Sequence, residues 1–235
     1  MTRVIAHRAG AYPDLPGEQT LAHVERALSL GASMIEVDLR QTRDGHVVCV
    51  HDPEIAGVEI AAASLETVRA RCRDAGIPAP PLLVDLLQTC AGRCALDLEL
   101  KVAGIERQVI ELVHVHFSLD QAIFKCFDDR VVRALKDAEP RCTAGLLLGV
   151  ERAPYLGLGR LGELFPLVRL LRCRADFVSP NHQLVRLRFV RRMHLVGYPV
   201  YVWTVNDERI ARRLIRRGAD AVITDEVARA LHWTR

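Results

Sequence analysis

The chain has no apolar run approaching the ~18 residues needed to span a bilayer. Val4-Ile5-Ala6 is too short for the core of a signal peptide and runs straight into His7-Arg8. Both absences lead us to expect a cytoplasmic protein with no stable membrane insertion. Strong net charge is lacking as well: +3 over 235 residues is too mild for an obligate nucleic-acid binder. The seven cysteines are odd in number and scattered through apolar runs, which reads as reduced thiols. Cys90 and Cys94 have no second Cys/His pair at zinc-finger distance, so buried thiols are expected there instead of zinc. No glycine-rich loop follows the first strand, which argues against an open doubly wound sheet. Internal repeats, low-complexity segments and domain linkers are missing too. Lysine is scarce, limited to Lys101, Lys125 and Lys136 against 29 arginines.

What is present is an alternation of short apolar runs and helical patterns. Half of the residues are apolar, ample for a core, and a barrel of this length ordinarily forms one domain. Val4-Ile5-Ala6-His7-Arg8 reads as a short buried strand ending in polar groups. A loop dense in turn formers follows. The next helix is expected to start at Glu18-Gln19-Thr20 and to stop at Gly31. Further strands are expected near residues 34, 95, 122, 143, 177, 200 and 221, the one near 200 covering 199–205. Helices are expected at 64–71, 82–90, 105–114, 129–138, 160–172, 185–196 and 207–217, with a short one at the end. Residues 53–63 read as irregular, and Pro78-Ala79-Pro80-Pro81 as a rigid connector. Eight β units alternating with helices indicate an α/β fold, a (β/α)8 TIM barrel over residues 1–235. It carries a β-hairpin excursion after its second strand and a short insert around 53–81.

The hairpin comes from the stretch Met34 to Asp52. Two β-capable runs flank Asp44-Gly45, a strong turn signal. With Asp44 and Gly45 as a two-residue turn, His51 lies directly across from Asp38, their Cβ atoms about 4.5–5.5 Å apart. Glu36 shares the face of Asp38, because strand side chains repeat every second residue.

In such barrels the active site sits at the C-terminal ends of the strands. The polar residues at those ends are His7, Arg8, Glu36, Asp38, Glu99, Lys101, Trp203, Asn206, Thr224 and Asp225, and His51 arrives from the hairpin arm. Glu36, Asp38 and Glu99 form an all-oxygen set, which suits one hard divalent metal, Mg2+ or Ca2+. His7 and His51 suit a general acid and base pair. Arg8 and Lys101 are cations among acids, a mixture that suits a small phosphate-bearing substrate. The arginine-rich segments 186–192 and 212–217 read as solvated outer faces, with attraction to anionic membrane surfaces as a secondary reading.

The ordered set His7-Arg8-Ala9-Gly10, Glu18-Gln19-Thr20, Glu36-Val37-Asp38, Asp44-Gly45 with His51-Asp52, Glu99-Leu100-Lys101, Trp203-Thr204-Val205-Asn206 and Gly218-Ala219-Asp220 resembles the glycerophosphodiester phosphodiesterases nearly end to end. The resemblance implies metal-dependent hydrolysis of glycerophosphodiesters to glycerol 3-phosphate and an alcohol. It implies metal binding by Glu36, Asp38 and Glu99, catalysis by His7 and His51, and phosphate contacts from Arg8 and Lys101. Glu18 and Trp203 are further candidates for substrate contact. Two departures stand out. The family usually has Pro-Glu-Asn-Thr where this chain has Gly17-Glu18-Gln19-Thr20, and many relatives carry a longer insert than residues 53–81 here. The competing readings are a lysophospholipase D-type phosphodiesterase, a lyase or aldolase barrel using Lys101 as a Schiff base, and a barrel that binds phosphodiesters without turnover.

Overall fold

An extended chain presents successive side chains to opposite faces, and this period of two divides the protein into two cores. In β2 (Met34–Gln41) the residues Ile35, Val37 and Leu39 join the apolar layer beneath the helices. Met34, Glu36 and Asp38 occupy the other face. β6 (Ala95–Leu100) repeats the pattern, with Leu96, Leu98 and Leu100 in the helix-side layer and Asp97 and Glu99 opposite.

The computed structural model describes residues 2–149 and 162–233. Parallel strands run in the order β10 (Tyr201–Val202), β11 (Ala221–Thr224), β1 (Arg3–Ala6), β2, β6, β7 (Ala122–Cys126), β8 (Thr143–Leu148) and β9 (Phe177–Pro180). Bridges from Val178 to Val200 and from Asn181 to Trp203 join the two ends of this order. The result is the eight-stranded (β/α)8 barrel that the sequence pattern predicts. Helices cover its outside, several of them started by a side-chain cap. Thr20, Ser64, Asp128 and Asp207 each accept a backbone N–H in the first turn of the helix that follows, satisfying donors that the helix itself leaves unpaired.

The barrel floor is apolar. Ile5, Met34, Ala221 and Ile223 fill it, and Phe177 stacks on Tyr201 with ring centroids 4.7 Å apart. Gly145 makes this stack possible, because a Cβ there would collide with the Phe177 ring. Above the floor the interior turns polar. The strand register sets Glu36 beside Asp97, Asp38 beside Glu99, and Glu99 beside Lys125.

Several local expectations need correction. The hairpin arm β3 (Val47–Cys49) pairs with β2 through Leu39–Cys49, Arg40–Val48 and Gln41–Val47. Asp38 therefore lies opposite Val50, whose N–H donates to the Asp38 carbonyl at 2.9 Å, and not opposite His51. The cause is the turn. Thr42 closes it by bonding to His46, leaving three loop residues with Gly45 at φ 86°, a geometry that adds one residue to the two-residue turn. The first helix spans Leu21–Ser29, with Thr20 as its cap; Glu18 and Gln19 stay in the loop. Residues 53–63 are partly ordered as a ribbon, β4 (Glu54–Ile55) against β5 (Val58–Glu59). The seventh barrel strand, Tyr201–Val202, is shorter than the expected 199–205; at its start Pro199 has no N–H to give to the ladder. The helix expected over 185–196 begins only at Phe189, because Leu187 and Arg188 take left-handed backbone angles. The start of the helix expected over 160–172 lies outside the described residues, and its described part includes Leu167–Cys173.

The Phe177–Tyr201 stack sets a test of the floor. Gly145→Ala forces a methyl group against the Phe177 ring, and overpacking of this kind costs about 1–3 kcal/mol. The urea midpoint should fall with an unchanged slope. A midpoint equal to that of the wild type would show that the ring has room to move.

Candidate active site

The end of β1 is shaped for chemistry at a cost in backbone energy. His7, Arg8 and Ala9 form one tight 3-10 turn, and Arg8 and Ala9 have φ of 49° and 63°. Left-handed angles cost residues other than glycine about 1–3 kcal/mol each and persist where surrounding contacts impose them. Those contacts are present. The Arg8 backbone N–H donates to Glu36 Oε2 at 2.9 Å, and its guanidinium donates to Glu18 at 2.8 Å. The Arg8 Nε lies 3.2 Å from Asp38. His7 is thereby turned into the barrel mouth, its Nε2 4.0 Å from Glu36.

The last strand orients His7 from the other side. His7 Nδ1 donates to Asp225 at 2.6 Å, and Asn206 donates to the second oxygen of Asp225, also at 2.6 Å. With Nδ1 engaged by Asp225, Nε2 is the ring nitrogen left available on the cavity side. Burial acts to lower the His7 pKa, but the bond to Asp225 and the charge of Glu36 outweigh it, so the pKa is raised.

Glu36, Asp38, Asp97 and Glu99 are all buried, none more than 6% exposed. Such burial is expensive unless the charges are paired. Lys125, itself 2% exposed, lies 2.8 Å from Asp97 and 3.2 Å from Glu36. Lys101 bonds to Glu99 and lies 2.9 Å from Asp38. Gln19 brackets Asp38 with both ends of its amide, Nε2 donating to Oδ2 at 2.8 Å and Oε1 accepting the Asp38 N–H at 2.7 Å. Burial pushes the Glu36 pKa upward, but Lys125, His7 and the Arg8 amide prevail and hold the carboxyl at about 2. At Glu99 burial prevails over Lys101, with Asp38 adding to it, and the carboxyl is pushed up to about 7.

Glu36, Asp38 and Glu99 each offer an oxygen, and these atoms all lie within 4.8 Å of one another. Oxygens on one Ca2+ at about 2.3–2.6 Å can be up to about 5 Å apart, and on one Mg2+ up to about 4.2 Å. A separation within 4.8 Å therefore fits a hard divalent cation at Ca2+ distances, and at Mg2+ distances once the oxygens draw in. Charge agrees with this. Four carboxylates face three permanent cations, Lys101, Lys125 and Arg8. A divalent cation would offset the excess of carboxylates in this layer.

His7, Arg8, Glu36, His51, Glu99, Lys101 and Trp203 line one cavity of about 160 Å3 at the strands' C-terminal ends. His51 is held there by main-chain and side-chain bonds: Arg40 donates to its carbonyl at 2.8 Å, and Asp52 engages its Nδ1 at 2.7 Å. The cavity's apolar side is Phe127, Leu147 and Trp203, and Phe127 meets Trp203 edge to face at 5.6 Å. Trp203 spends its indole N–H on the Ser179 carbonyl at 2.8 Å, which fixes the ring. Asp38 and Glu18 are not among the lining residues; Asp38 is buried and Glu18 grips Arg8. Sequence reasoning overlooked Lys125, Asp97 and Gln19. The signal for Lys125 was strand parity: with Phe124 and Cys126 in the helix-side core, Lys125 must point inward.

Comparison with known proteins agrees with this geometry. The family model of the glycerophosphoryl diester phosphodiesterase family matches residues 7–70 and 95–229. A glycerophosphodiester phosphodiesterase from Caldanaerobacter subterraneus subsp. tengcongensis is 27% identical over 100% of this chain and 98% of its own length. The fold is that of an Oleispira antarctica phosphodiesterase solved with the product sn-glycerol-3-phosphate: TM-score 0.81, 23% identity, covering 98% of this chain and 96% of that one. A glycerophosphodiester phosphodiesterase from Parabacteroides distasonis gives a TM-score of 0.81 at 22% identity, over 98% of this chain and 97% of its own.

The buried charge balance is testable without any substrate. Lys125→Met removes the cation from Asp97 and leaves Glu36 with the Arg8 N–H and His7, and breaking a buried pair in this way costs about 3–5 kcal/mol. Urea unfolding should show that loss, and adding Asp97→Leu should recover part of it. A single variant as stable as the wild type would show that Lys125 carries none of the interior charge balance.

Proposed function

The chain belongs to the glycerophosphoryl diester phosphodiesterase family, and with it to the phosphodiester hydrolases; we propose that it cleaves glycerophosphodiesters to glycerol 3-phosphate and an alcohol, the whole chain acting as one catalytic unit. One observation carries this reading: His7 and His51 line the same small cavity as Glu36, Glu99, Arg8 and Lys101. Pockets for drug-sized ligands run to about 300–1,000 Å3. A cavity of about 160 Å3 suits a phosphate with its short polyol arm, leaving the second ester group outside.

Glu36, Asp38 and Glu99 would hold the divalent cation, and such a cation supplies positive charge against the phosphate and lowers the pKa of an oxygen bound to it. Arg8 and Lys101 take the phosphate oxygens and stabilise the charge that builds in the transition state. One histidine accepts the proton of the glycerol 2-hydroxyl as that oxygen bonds to phosphorus. The other gives its proton to the alkoxide as the old P–O bond breaks. Water then opens the cyclic phosphate with the two roles exchanged. Asp225 and Asn206 keep His7 aimed throughout. Phe127, Leu147 and Trp203 offer the glycerol carbons an apolar wall.

The lysine reading fits less well. Burial lowers the Lys101 pKa, but Glu99 and Asp38 outweigh it and raise the pKa above its ordinary value. A Schiff-base lysine needs the opposite shift.

Removing a general acid or base forfeits about 10²–10⁴ in rate. His7→Ala and His51→Ala should each lose that much in glycerophosphocholine turnover while unfolding like the wild type. Asp225→Asn should lower kcat less than loss of His7 itself does. Unchanged turnover in either histidine variant would remove that histidine from the mechanism. Chelation should abolish glycerol 3-phosphate release, and Mg2+ or Ca2+ should restore it; full activity after exhaustive chelation would exclude the metal.

A further inference from the structure

A second cavity, of about 700 Å3, lies outside the barrel between the chain following β9 and the helix Glu208–Arg216. Five arginines line it: Arg186, Arg188 and Arg191 on one wall, Arg213 and Arg217 on the other. No aspartate or glutamate lines it. None occurs anywhere in the thirty residues between Asp176 and Asp207. Several arginines elsewhere in the chain have a carboxylate partner: Arg93 meets Glu25 at 2.6 Å, Arg169 meets Asp129 at 2.6 Å, and Arg212 meets Glu208 at 2.7 Å. Among the described residues, none of the five has a carboxylate partner. In a chain with a net charge of only +3, this is a local concentration of unmatched positive charge.

Leu187 stands between two of these arginines and is 68% exposed. Left-handed backbone at Leu187 and Arg188, with φ of 49° and 57°, is an outlier conformation for bulky residues. It holds an apolar side chain in solvent, flanked by two cations. The cavity also adjoins the catalytic mouth. His182, on its rim, donates its N–H to the Trp203 carbonyl at 2.7 Å, and Trp203 lines the catalytic cavity.

We propose that this face docks anionic phospholipid headgroups at a bilayer surface, the arginines holding phosphate and Leu187 entering the acyl boundary. Charge selects the partner class. Basic residues flanking an exposed leucine suit a peripheral contact with an anionic leaflet, and no helix among the described residues is long and apolar enough to cross the membrane. Single-stranded nucleic acid suits the face less well, because its bases need exposed aromatic rings to stack on, and the aromatic residue on this wall, Phe189, is fully buried. Docking would present the catalytic mouth to diesters that reside at a membrane. The inference does not depend on the reaction assigned above.

The test is co-sedimentation of the full chain with vesicles of phosphatidylcholine alone and of phosphatidylcholine mixed with phosphatidylglycerol. Retention on the mixed vesicles, weakened by salt, is expected, with little on phosphatidylcholine. Each basic residue near such a surface is worth about a fivefold change in affinity, so the triple variant Arg186→Gln/Arg188→Gln/Arg191→Gln should bind on the order of 100-fold more weakly. Arg213→Gln, on the opposite wall, reads the same effect singly should the triple variant unfold. Leu187→Asn, tolerated in left-handed backbone, should weaken retention without changing its salt dependence. The variants should keep the wild-type thermal midpoint and any turnover of soluble glycerophosphocholine. Equal retention on both vesicles, or wild-type binding by the arginine variants, would overturn the proposal. So would full competition by inorganic phosphate, which marks a soluble-anion site, or arginine-dependent binding of an oligonucleotide without vesicle retention.

Discussion

The contact between Lys125 and the pair Glu36 and Asp97 is the constraint on which the rest depends. A barrel interior is ordinarily filled with branched apolar side chains. Here the floor obeys that rule and the layer above does not. Four carboxylates enter the interior on two adjacent strands, Glu36 and Asp38 from β2, Asp97 and Glu99 from β6. Unpaired, they would make this end of the barrel unstable. Lys125 reaches them from the neighbouring strand, and Lys101 and Arg8 close the balance from above. The fold therefore tolerates a charged interior because three different segments supply its counter-charges. Burial, with Asp38 adding to it, still outweighs Lys101 at Glu99 and pushes its carboxyl up to about 7, within the oxygen trio that could hold a divalent cation.

Much of this was legible in the chain. Strand alternation is a local property, so Ala95-Leu96-Asp97-Leu98-Glu99-Leu100 announces a half-polar strand before any partner is known. The count of such runs, spaced by helical patterns, leads to the barrel. The site was legible where polar residues end strands, as at His7, Glu36, Asp38, Glu99 and Lys101. Lys125 was not, since it sits inside an apolar run and its direction emerges only from the parity of Phe124 and Cys126. Gln19 was hidden for a different reason. Its sequence neighbours suggest a helix start, and its function comes from a left-handed φ of 55° that turns its amide onto Asp38. No periodicity encodes that turn. The hairpin register failed by one residue because a three-residue and a two-residue loop share the same Asp-Gly signal.

The orientation of His7 shows what closure adds to local pattern. His7 and Asp225 are 218 residues apart in the chain and 2.6 Å apart in space. β1 pairs with β11 in full register from Arg3–Ala221 to Ala6–Thr224, so the residues that follow each strand emerge side by side. Asn206 joins them because β10 is the next neighbour. A histidine held by a carboxylate, which is held in turn by an amide, keeps one ring nitrogen committed and the other available. Three strand ends distant in sequence thus act as one unit, and only the closed order of the sheet brings them together.

The same geometry limits what can enter. The cavity is bounded on one side by charge and on the other by Phe127, Leu147 and Trp203. Trp203 cannot swing aside freely, because its N–H is tied to Ser179 and its ring meets Phe127 edge to face. Under the proposed reaction, a substrate would be sorted by its phosphate and three-carbon arm inside the mouth, with its second alcohol extending past the rim. The segment that follows His51-Asp52 is short, consisting mainly of the small ribbon β4–β5 and the helix Leu65–Asp74. Under that reading the tight part of the site would recognise the group that the diesters have in common, and discrimination among alcohols would fall to the rim outside it.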